Sequence, residues 1–310
     1  MTTGQFEVDP TLTAIAIAYS NPTYTLIADQ VLPRVIVPAR KFSWQEYDLA
    51  EGYTVPDTRV GPRSAPNRVE IEGKKKPDEV EDFGIDIPLD KPTIEDAEQA
   101  GYNPRDRATE RATNIVMLDR EVRVAGLISN AANYPADLVK ALSGTSMFTD
   151  PTSDPEKEIS DMLDECLVRP NQLTFGQVAW SRFRRHPKIV KATNRNSGDS
   201  GVAAREAVAE LFEVQKILIG ASRVNTTKPG QTPVLERAWG SIVSGQFIDE
   251  SADTTGGITF GMTAQHGTKV AGTTQAQMGL RGGELIRSGE TVKELIVANH
   301  AGFLLSNVAN

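Results

Sequence analysis

The chain contains a single cysteine, Cys166, among 310 residues, so it can form neither an internal disulfide nor a zinc site built on several thiolates. Histidine is also scarce. His186, His266 and His300 lie far apart and in no metal-ligand spacing, which favours core or surface histidines. The segment DMLDECLVR predicts a buried thiol on a helix face, because no nearby His or Asn would activate it. We therefore expect no metal centre and no cysteine-based active site.

The sequence also lacks a long apolar run and an excess of positive charge. No stretch approaches the ~20 apolar residues of a membrane helix. LTAIAIAY (12–19) follows Glu7 and Asp9 instead of the basic region of a signal peptide. The formal net charge is −8, whereas proteins that grip nucleic acid broadly are usually basic. We expect a soluble intracellular protein that is not a general DNA-binding protein.

Motifs for nucleotide binding and nucleophilic catalysis are missing as well. DTTGGITFG (253–261) and GLRGGE (279–284) are rich in glycine but lack the Lys-Ser/Thr ending of a P-loop. No Ser/His/Asp order or nucleophile elbow stands out. These stretches are interpreted as loops or turns, no cofactor is predicted, and an enzyme has little support.

What the chain does contain is enough apolar material, 39 % of its residues, for a sizeable core. Its length favours two lobes or one domain with long extensions. Residues 1–40 predict an extended arm with a short strand at 35–37, because prolines recur too often for a long helix. The arm is too apolar for a free tail and should lie on another surface. Its prolines are at positions 10, 22, 33 and 38.

Residues 41–90 form the most unusual segment, a β-rich excursion whose short alternating stretches are separated by glycines and prolines. The stretches are KFSWQEYDL (41–49), NRVEIEGKKK (67–76) and VEDFGIDIPL (80–89). They are too poor in apolar residues to build a core of their own, so the excursion requires a partner. The residues expected to face that partner are Phe42, Trp44, Val69, Ile71, Ile85 and Ile87.

The clearest helix follows this excursion. Asn103 and Pro104 make a favourable N-cap and first turn, and apolar residues including Ile115 and Val122 recur at helical spacing. Charged residues, among them Arg120 and Glu121, are assigned to the other faces. The sequence predicts a helix over 104–131, spanning about 40 Å. Further helices are predicted at 154–169 and 203–214, and strands within 216–225, 238–264 and 291–309, which makes the fold class α+β.

This order of arm, β excursion, long helix, mixed lobe and terminal strands resembles the major capsid fold of tailed phages and herpesviruses, the Hong Kong ninety-seven type. The local wording is similar to capsid proteins of Mu-like and related phages in several segments. These are NPTYTLIADQVLPRVIVP (21–38), HPKIV (186–190), LFEVQKILIGASRVNTTKPG (211–230), AWGSIV (238–243) and VKELIVANHAGFLLSNV (292–308). The matches span nearly the whole chain in the expected order.

The resemblance implies a division into five parts. They are an N-terminal arm (1–40), an E-loop (41–90), a P-domain (91–168) with a spine helix (104–131), an A-domain (169–284), and C-terminal strands that return to the P-domain (285–310). It implies hexamers and pentamers tiled into an icosahedral shell, with the E-loop reaching over a neighbour. Heterologous contacts of this kind close into rings, and backbone pairing at a strand edge would supply adhesion.

The implied function is that of a major capsid protein, a structural protein of the virion that is assembled in the host bacterial cytoplasm and encloses phage double-stranded DNA without specific contacts. Other expected partners are a portal protein, decoration proteins and, because only a short arm precedes the fold, a separate scaffold protein. Three alternatives stay open: an encapsulin-like compartment of the same fold that encloses cargo enzymes, an enzyme such as a hydrolase, and a tail or decoration protein.

Two basic clusters complete the candidate sites. Lys74, Lys75 and Lys76 are expected at a turn of the E-loop, where some members of the family form isopeptide cross-links to an Asn of a neighbour. We favour a solvated tip paired with the acidic residues at positions 79, 81 and 82.

The second cluster lies in SRFRRHPK (181–188). Arg182, Arg184 and Arg185 could contact packaged DNA or pair with acidic residues within or between subunits. The acidic net charge favours ion pairing.

Overall fold

Two β-sheets and one long helix organise the residues described by this computed structural model: 5–19, 26–46, 55–61, 64–68, 74–193, 201–228 and 230–309. Three helices begin where the sequence supplies caps. Asp9, Asn103 and Asp154 accept backbone N–H groups of the first turn, and each is followed by a proline as first helical residue. The described α-helices are α1 (Pro10–Ala18), α2 (Ala28–Val31), α3 (Lys91–Gln99), α4 (Pro104–Ser129), α5 (Pro155–Glu165), α6 (Gln177–Phe183), α7 (Pro187–Thr193) and α8 (Arg205–Leu211).

The strands are mostly short, and one is long. They are β1 (Glu7–Val8), β2 (Arg34–Ile36), β3 (Lys41–Glu46), β4 (Lys74–Glu79), β5 (Glu81–Asp90), β6 (Val139–Ala141), β7 (Gln172–Gly176), β8 (Lys216–Gly220), β9 (Arg223–Asn225), β10 (Leu235–Arg237), β11 (Ile242–Gln246), β12 (Gly261–Gln265), β13 (Val270–Ala276), β14 (Gly283–Ile296) and β15 (Gly302–Ser306). Strands β3 and β4 pair only with each other, as do β9 and β10, so each pair forms a separate hairpin-like sheet among the described residues.

The first sheet is built on β14. Its path runs β1-β13-β14-β12-β2, and β5 pairs antiparallel with β14 from Asp90↔Gly283 to Glu81↔Val292. Helices α1 and α4 cover one face, where Leu12, Ala108 and Ile286 share a buried cluster. Because β1 and β2 belong to the arm, the arm is part of this sheet at two places.

The second sheet has the order β6-β15-β11-β7-β8 and packs against α5 to α8. Its core is aromatic: Phe183 lies 5.2 Å from Phe175 and 6.1 Å from Phe212, centroid to centroid. Burial of such side chains stabilises a fold by about 1.5–3 kcal/mol each. The C-terminal end of α4 reaches this sheet through Ile128, which shares a buried cluster with Leu304 of β15.

The arm differs from its expected extended form. Pro10 begins a nine-residue helix, because Asp9 caps it and proline is favourable at the first helical position. The expected strand at 35–37 lies at Arg34–Ile36.

The expected grouping of the strands also needs correction. Strands β12 and β13 fall within the range assigned to the A-domain (169–284), yet they belong to the first sheet together with β5. Strand β15 was expected to return to the P-domain, but it pairs with β11 in the second sheet. The reason is topological: the chain crosses between the sheets after β14, and strand periodicity does not encode which sheet a strand joins.

Helix α4 ends at Ser129 instead of 131, since Asn130 adopts extended backbone angles and its side chain caps the next short turn. The shorter helices and strands lie inside their predicted ranges with trimmed ends: 154–169 becomes Pro155–Glu165, 203–214 becomes Arg205–Leu211, and 216–225 divides into β8 and β9.

Candidate assembly surfaces and the junction beneath the long helix

The hairpin of β3 and β4 has its base anchored in the subunit. Trp44 is 7 % exposed and shares a buried cluster with Val80 and Leu295, and Phe42 packs at its edge. The expectation that Phe42 and Trp44 face a neighbour is therefore wrong for most of their surface. Their burial fixes the direction in which the hairpin leaves the body of the protein.

The described residues between these two strands are polar and exposed. In 55–61 and 64–68 every residue except Gly61 is exposed, including Val55 at 88 %. The expected interface residues Val69 and Ile71 lie outside the described residues. A segment of this composition contributes no core to its own subunit, so its apolar side chains are available to a partner.

The three lysines lie in strand β4 and not at a turn. Lys76 pairs in register with Trp44; its ammonium is 2.6 Å from Glu46 and 5.3 Å from the Trp44 ring centroid. Lys74 and Lys75 are exposed. The expected pairing with residues 79, 81 and 82 is replaced by other partners. Those contacts are Lys76–Glu46, Lys293–Glu81 and Arg40–Asp82.

Ile85 and Ile87 also have partners within the chain. Ile87 packs against the buried cluster formed by α1, α4 and β14. Ile85 lies opposite Ser288, whose hydroxyl is 2.9 Å from Thr113 of α4. This face was expected to contact a neighbour. The correction follows from the pairing of β5 with β14, which turns the face toward α4.

A buried carboxylate connects the arm, the long helix and the second sheet. Glu121 of α4 accepts hydrogen bonds from the backbone N–H groups of Ile27 (2.9 Å) and Ala28 (2.8 Å). It also accepts from the indole N–H of Trp239 (2.6 Å) and, more weakly, from the Ser222 hydroxyl (3.4 Å). Burial raises the pKa of Glu121, while these four bonds oppose the rise.

A buried guanidinium, Arg120, lies beside this carboxylate on α4. Arg120 is 2 % exposed; it forms an ion pair with Asp29, donates to Thr263 at 2.9 Å and donates to the Leu32 carbonyl at 3.2 Å. Arg34 of the arm lies 2.6 Å from Asp29 and 2.7 Å from the buried Glu290 of β14. Arm, helix and sheet are thus joined by paired charges, whose separation would leave a charge buried and unpaired.

The sequence assigned Arg120 and Glu121 to exposed faces of the helix, and that was wrong. Val116, Arg120 and Val124 are spaced by four residues and share one buried face, whereas Ile115 and Val122 are about 40 % exposed. The i, i+4 spacing around Arg120 was the available signal. Charge alone misplaces a residue whose partners come from remote segments.

The basic stretch lies on α6 and the turn after it. Arg182 and Arg185 are exposed, while Arg184 is partly buried with its guanidinium 5.9 Å from the Trp180 ring. None of the three forms an ion pair with an acidic residue in the described part of the chain. Lys188, in contrast, pairs with Asp154 at 2.9 Å. The favoured pairing of these arginines inside the subunit is not found among these residues.

Catalytic and metal chemistry find no arrangement within the described ranges. These residues contain no cluster of His, Cys, Asp or Glu able to hold a metal ion. Cys166 is buried at the end of α5, as its helix pattern predicted, and burial raises the pKa of its thiol to about 12. His186 is buried and bonded to the Asp150 carbonyl. Over the same ranges, no helix has the length and apolarity needed to cross a membrane.

The described geometry defines an assembly subunit of the Hong Kong ninety-seven capsid fold: a projecting hairpin, an arm built into a sheet, and a long helix that joins two sheets. No protein-family model matches the chain. The chain is 45 % identical over 308 residues to the major capsid protein of Pseudomonas phage JBD67, covering 99 % of each chain. It is 25 % identical to the major capsid protein of Burkholderia phage BcepMu, covering 97 % of this chain and 96 % of that one.

The fold is similar to a crystal structure of a phage-related protein from Bordetella bronchiseptica RB50. The TM-score is 0.77 at 21 % identity, and 98 % of each chain is covered. Together with the full-length sequence relationship, this places the protein plainly: the chain belongs to the tailed-phage major capsid protein family. The predicted α+β capsid fold and the resemblance to Mu-like and related phages are confirmed.

Proposed function

We propose that this chain is the main building block of an icosahedral phage head, in which hexamers and pentamers tile into a shell around double-stranded DNA. The observation that carries the proposal is the 45 % identity to a phage major capsid protein over 99 % of both chains. A structural virion protein needs adhesive surfaces instead of a reactive centre, and the projecting hairpin supplies one. An enzyme has no geometric support among the described residues.

In this proposal the β3–β4 hairpin acts as the E-loop and reaches over a neighbouring subunit. Its buried base, Trp44 and Val80, transmits load to the body of the subunit, and its exposed tip makes the contact. We place the E-loop at 41–80 and assign β5 to the P-domain because of its pairing with β14. The second sheet with α5 to α8 forms the A-domain, which includes β15.

Several partners belong to the same proposal. They are a portal protein, a separate scaffold protein, decoration proteins and packaged DNA, with assembly in the host cytoplasm. Arg182 and Arg185 are exposed, so we assign them a partner outside the subunit. Acidic residues of a neighbour are favoured over DNA, because the chain carries a net charge of −8. A shell lacking DNA in an Arg182→Glu/Arg185→Glu variant, with assembly unchanged, would instead favour DNA.

An encapsulin-like compartment has less support, since both curated relatives named above are phage capsid proteins. Purified particles separate the two ideas by their contents. Double-stranded DNA inside particles from infected or induced cells supports the capsid, and a cargo enzyme supports the compartment.

The decisive experiment shortens the hairpin tip. Residues 55–68 are replaced by a four-residue Gly-Ser linker, which leaves β3, β4 and the buried Trp44 and Val80 in place. The chain is co-expressed with the neighbouring genes and studied by negative-stain electron microscopy and light scattering. We expect folded subunits that form no shells, whereas the wild type forms them; normal shells from the shortened chain would refute the role of the hairpin.

A point variant refines this test. Val55→Asp places a charge on an exposed apolar side chain of the tip, and Thr58→Asp places the same charge on an exposed polar one. Apolar contact with a neighbour predicts that only Val55→Asp reduces the yield of shells.

A further inference from the structure

The turn between β13 and β14, residues 277–282, presents a leucine entirely to solvent. Leu280 is 101 % exposed relative to a reference chain. The turn itself is held in place: Gly279 and Gly282 have φ of 57° and 75°, a conformation that favours glycine. The Lys91 N–H donates to the Gly282 carbonyl at 3.1 Å. The leucine is therefore carried on a defined support.

The neighbouring apolar residue of the turn behaves differently. A Cβ built on Gly283 would lie 2.8 Å from the Met278 sulfur, so the Met278 side chain folds back over the hairpin. Leu280 does not fold back. A single exposed leucine is ordinary on a protein surface, and a second observation is needed to give it a partner.

That observation is an open cleft at the same end of the molecule. It has a volume of about 340 Å³ and lies between α3 and the start of α4, lined by Glu98, Gly101, Tyr102, Asn103 and Arg105. Tyr102 is 40 % exposed and gives the cleft an apolar wall. The turn and the cleft are neighbours, since Arg281 lies 3.6 Å from Glu95 and Arg105 lies 2.7 Å from Glu284.

Charge makes the turn and the cleft complementary. The turn QMGLRG carries one charge, the half-exposed Arg281. Helix α3, KPTIEDAEQ, carries Glu95, Asp96 and Glu98 against Lys91 alone, a net of three negative minus one positive. A projection that is apolar at Leu280 and cationic at Arg281 thus matches a cleft with a tyrosine wall and an acidic rim.

We propose that Leu280 and Arg281 of one copy insert into the α3–α4 cleft of a second copy of this chain. The inference rests on the proposed function, because it requires the chain to assemble. The projection and the cleft are different surfaces of one subunit, so the contact is heterologous. Repeated around an axis, it closes a ring of subunits. Leu280 is the anchor, and Arg281 exchanges its contact with Glu95 of its own chain for the acidic rim of the neighbour.

Disulfide trapping tests the contact directly. Leu280→Cys and Glu98→Cys are combined in one chain, assembled, mildly oxidised and resolved on a non-reducing gel. The proposal expects a ladder of covalent oligomers that ends at the size of the ring. Leu280→Cys alone should remain monomeric, as should the pair Glu98→Cys/Gln215→Cys, which uses a remote exposed position. Efficient cross-linking by Leu280→Cys alone, or none by the designed pair, overturns the proposal.

A second variant keeps this test separate from that of the proposed function. Leu280→Asp is compared with Gln277→Asp, an exposed residue of the same turn. We expect Leu280→Asp to give at least tenfold fewer particles, with an unchanged circular dichroism spectrum and melting temperature, and Gln277→Asp to assemble normally. If the wild type assembles and Leu280→Asp does so equally well, this inference fails. If the wild type itself forms no particles, the proposed function fails.

Discussion

The indole N–H of Trp239 donates to the Glu121 carboxylate at 2.6 Å, across a distance of 118 residues in the chain. Trp239 is fully buried and precedes β11 of the second sheet, while Glu121 lies on the long helix beneath the first. The same carboxylate accepts from the backbone of Ile27 and Ala28 in the arm. One side chain therefore fixes the relative positions of the three segments that an assembling subunit must hold rigid.

The first prediction concerns this carboxylate. Glu121→Gln leaves one acceptor oxygen where two served four donors, so buried N–H groups will face an amide NH₂. We expect the free energy of unfolding of the unassembled chain to fall by about 1–3 kcal/mol, measured by urea denaturation. Glu110→Gln, a carboxylate less buried on the same helix, is the control and should change it by less than about 0.5 kcal/mol. Equal effects would contradict the role of Glu121.

The second prediction concerns acid. Burial acts to raise the pKa of Asp29, but attraction to Arg120 and Arg34 prevails and lowers it below 3.8. A lowered folded-state pKa gives stability that is present above the unfolded value, about 3.9, and is lost as pH falls through the folded value. We expect hydrogen exchange at residues 28–36 to accelerate, relative to β7, below about pH 4.

Asp29→Asn is the matched variant for this test. It removes the titrating group, so exchange in the arm should already be faster at pH 7 and should change less on acidification. An arm whose protection is the same in both proteins at both pH values would show that the ion pair does not hold it.

A third prediction compares two glycines. A Cβ at Gly220 would lie 2.1 Å from the Trp239 ring, so Gly220→Ala must displace a buried tryptophan and should destabilise the chain by about 1–3 kcal/mol. Gly126 is exposed on α4, and nothing lies within 4 Å of the position that a Cβ would take there. Gly126→Ala should stabilise the unassembled chain by up to about 1 kcal/mol. Melting temperatures of the two variants should therefore move in opposite directions.

The fourth prediction concerns Cys166. Its thiol is buried and has a pKa raised to about 12, so almost no reactive thiolate is present at pH 8. We expect maleimide labelling of the folded chain to be at least a hundredfold slower than in denaturant. Rapid labelling without denaturant would mean that the end of α5 opens readily. The same inertness lets Cys166 remain in the chain during the disulfide-trapping experiment.

Several elements followed directly from the sequence. Asn103 and Pro104 marked the start of the long helix, and its helical spacing set a length that was wrong by two residues. Period-two alternation located β5, and the pattern around Cys166 predicted its burial. These features succeed because caps, proline geometry and amphipathic spacing act over a few residues.

The candidate contacts could be predicted less well. Phe42, Trp44 and Ile87 were correctly identified as apolar faces that need covering, but what covers them lies within the same chain. Arg120 and Glu121 were placed in solvent because their partners come from residues 27–34, 222, 239 and 263. Alternation tells that a face is apolar and says nothing about which surface meets it.

The sequence by itself determined the fold class, the order of the elements and the capsid family, since these depend on local patterns and on resemblance along the whole chain. Only the tertiary structure decided which sheet each strand joins, that the arm contributes β1 and β2, and that Trp239 meets Glu121. The physical reason is the range of the interactions. Caps and periodicity arise between residues close in sequence, whereas pairing and buried charge are settled by segments that only folding brings together.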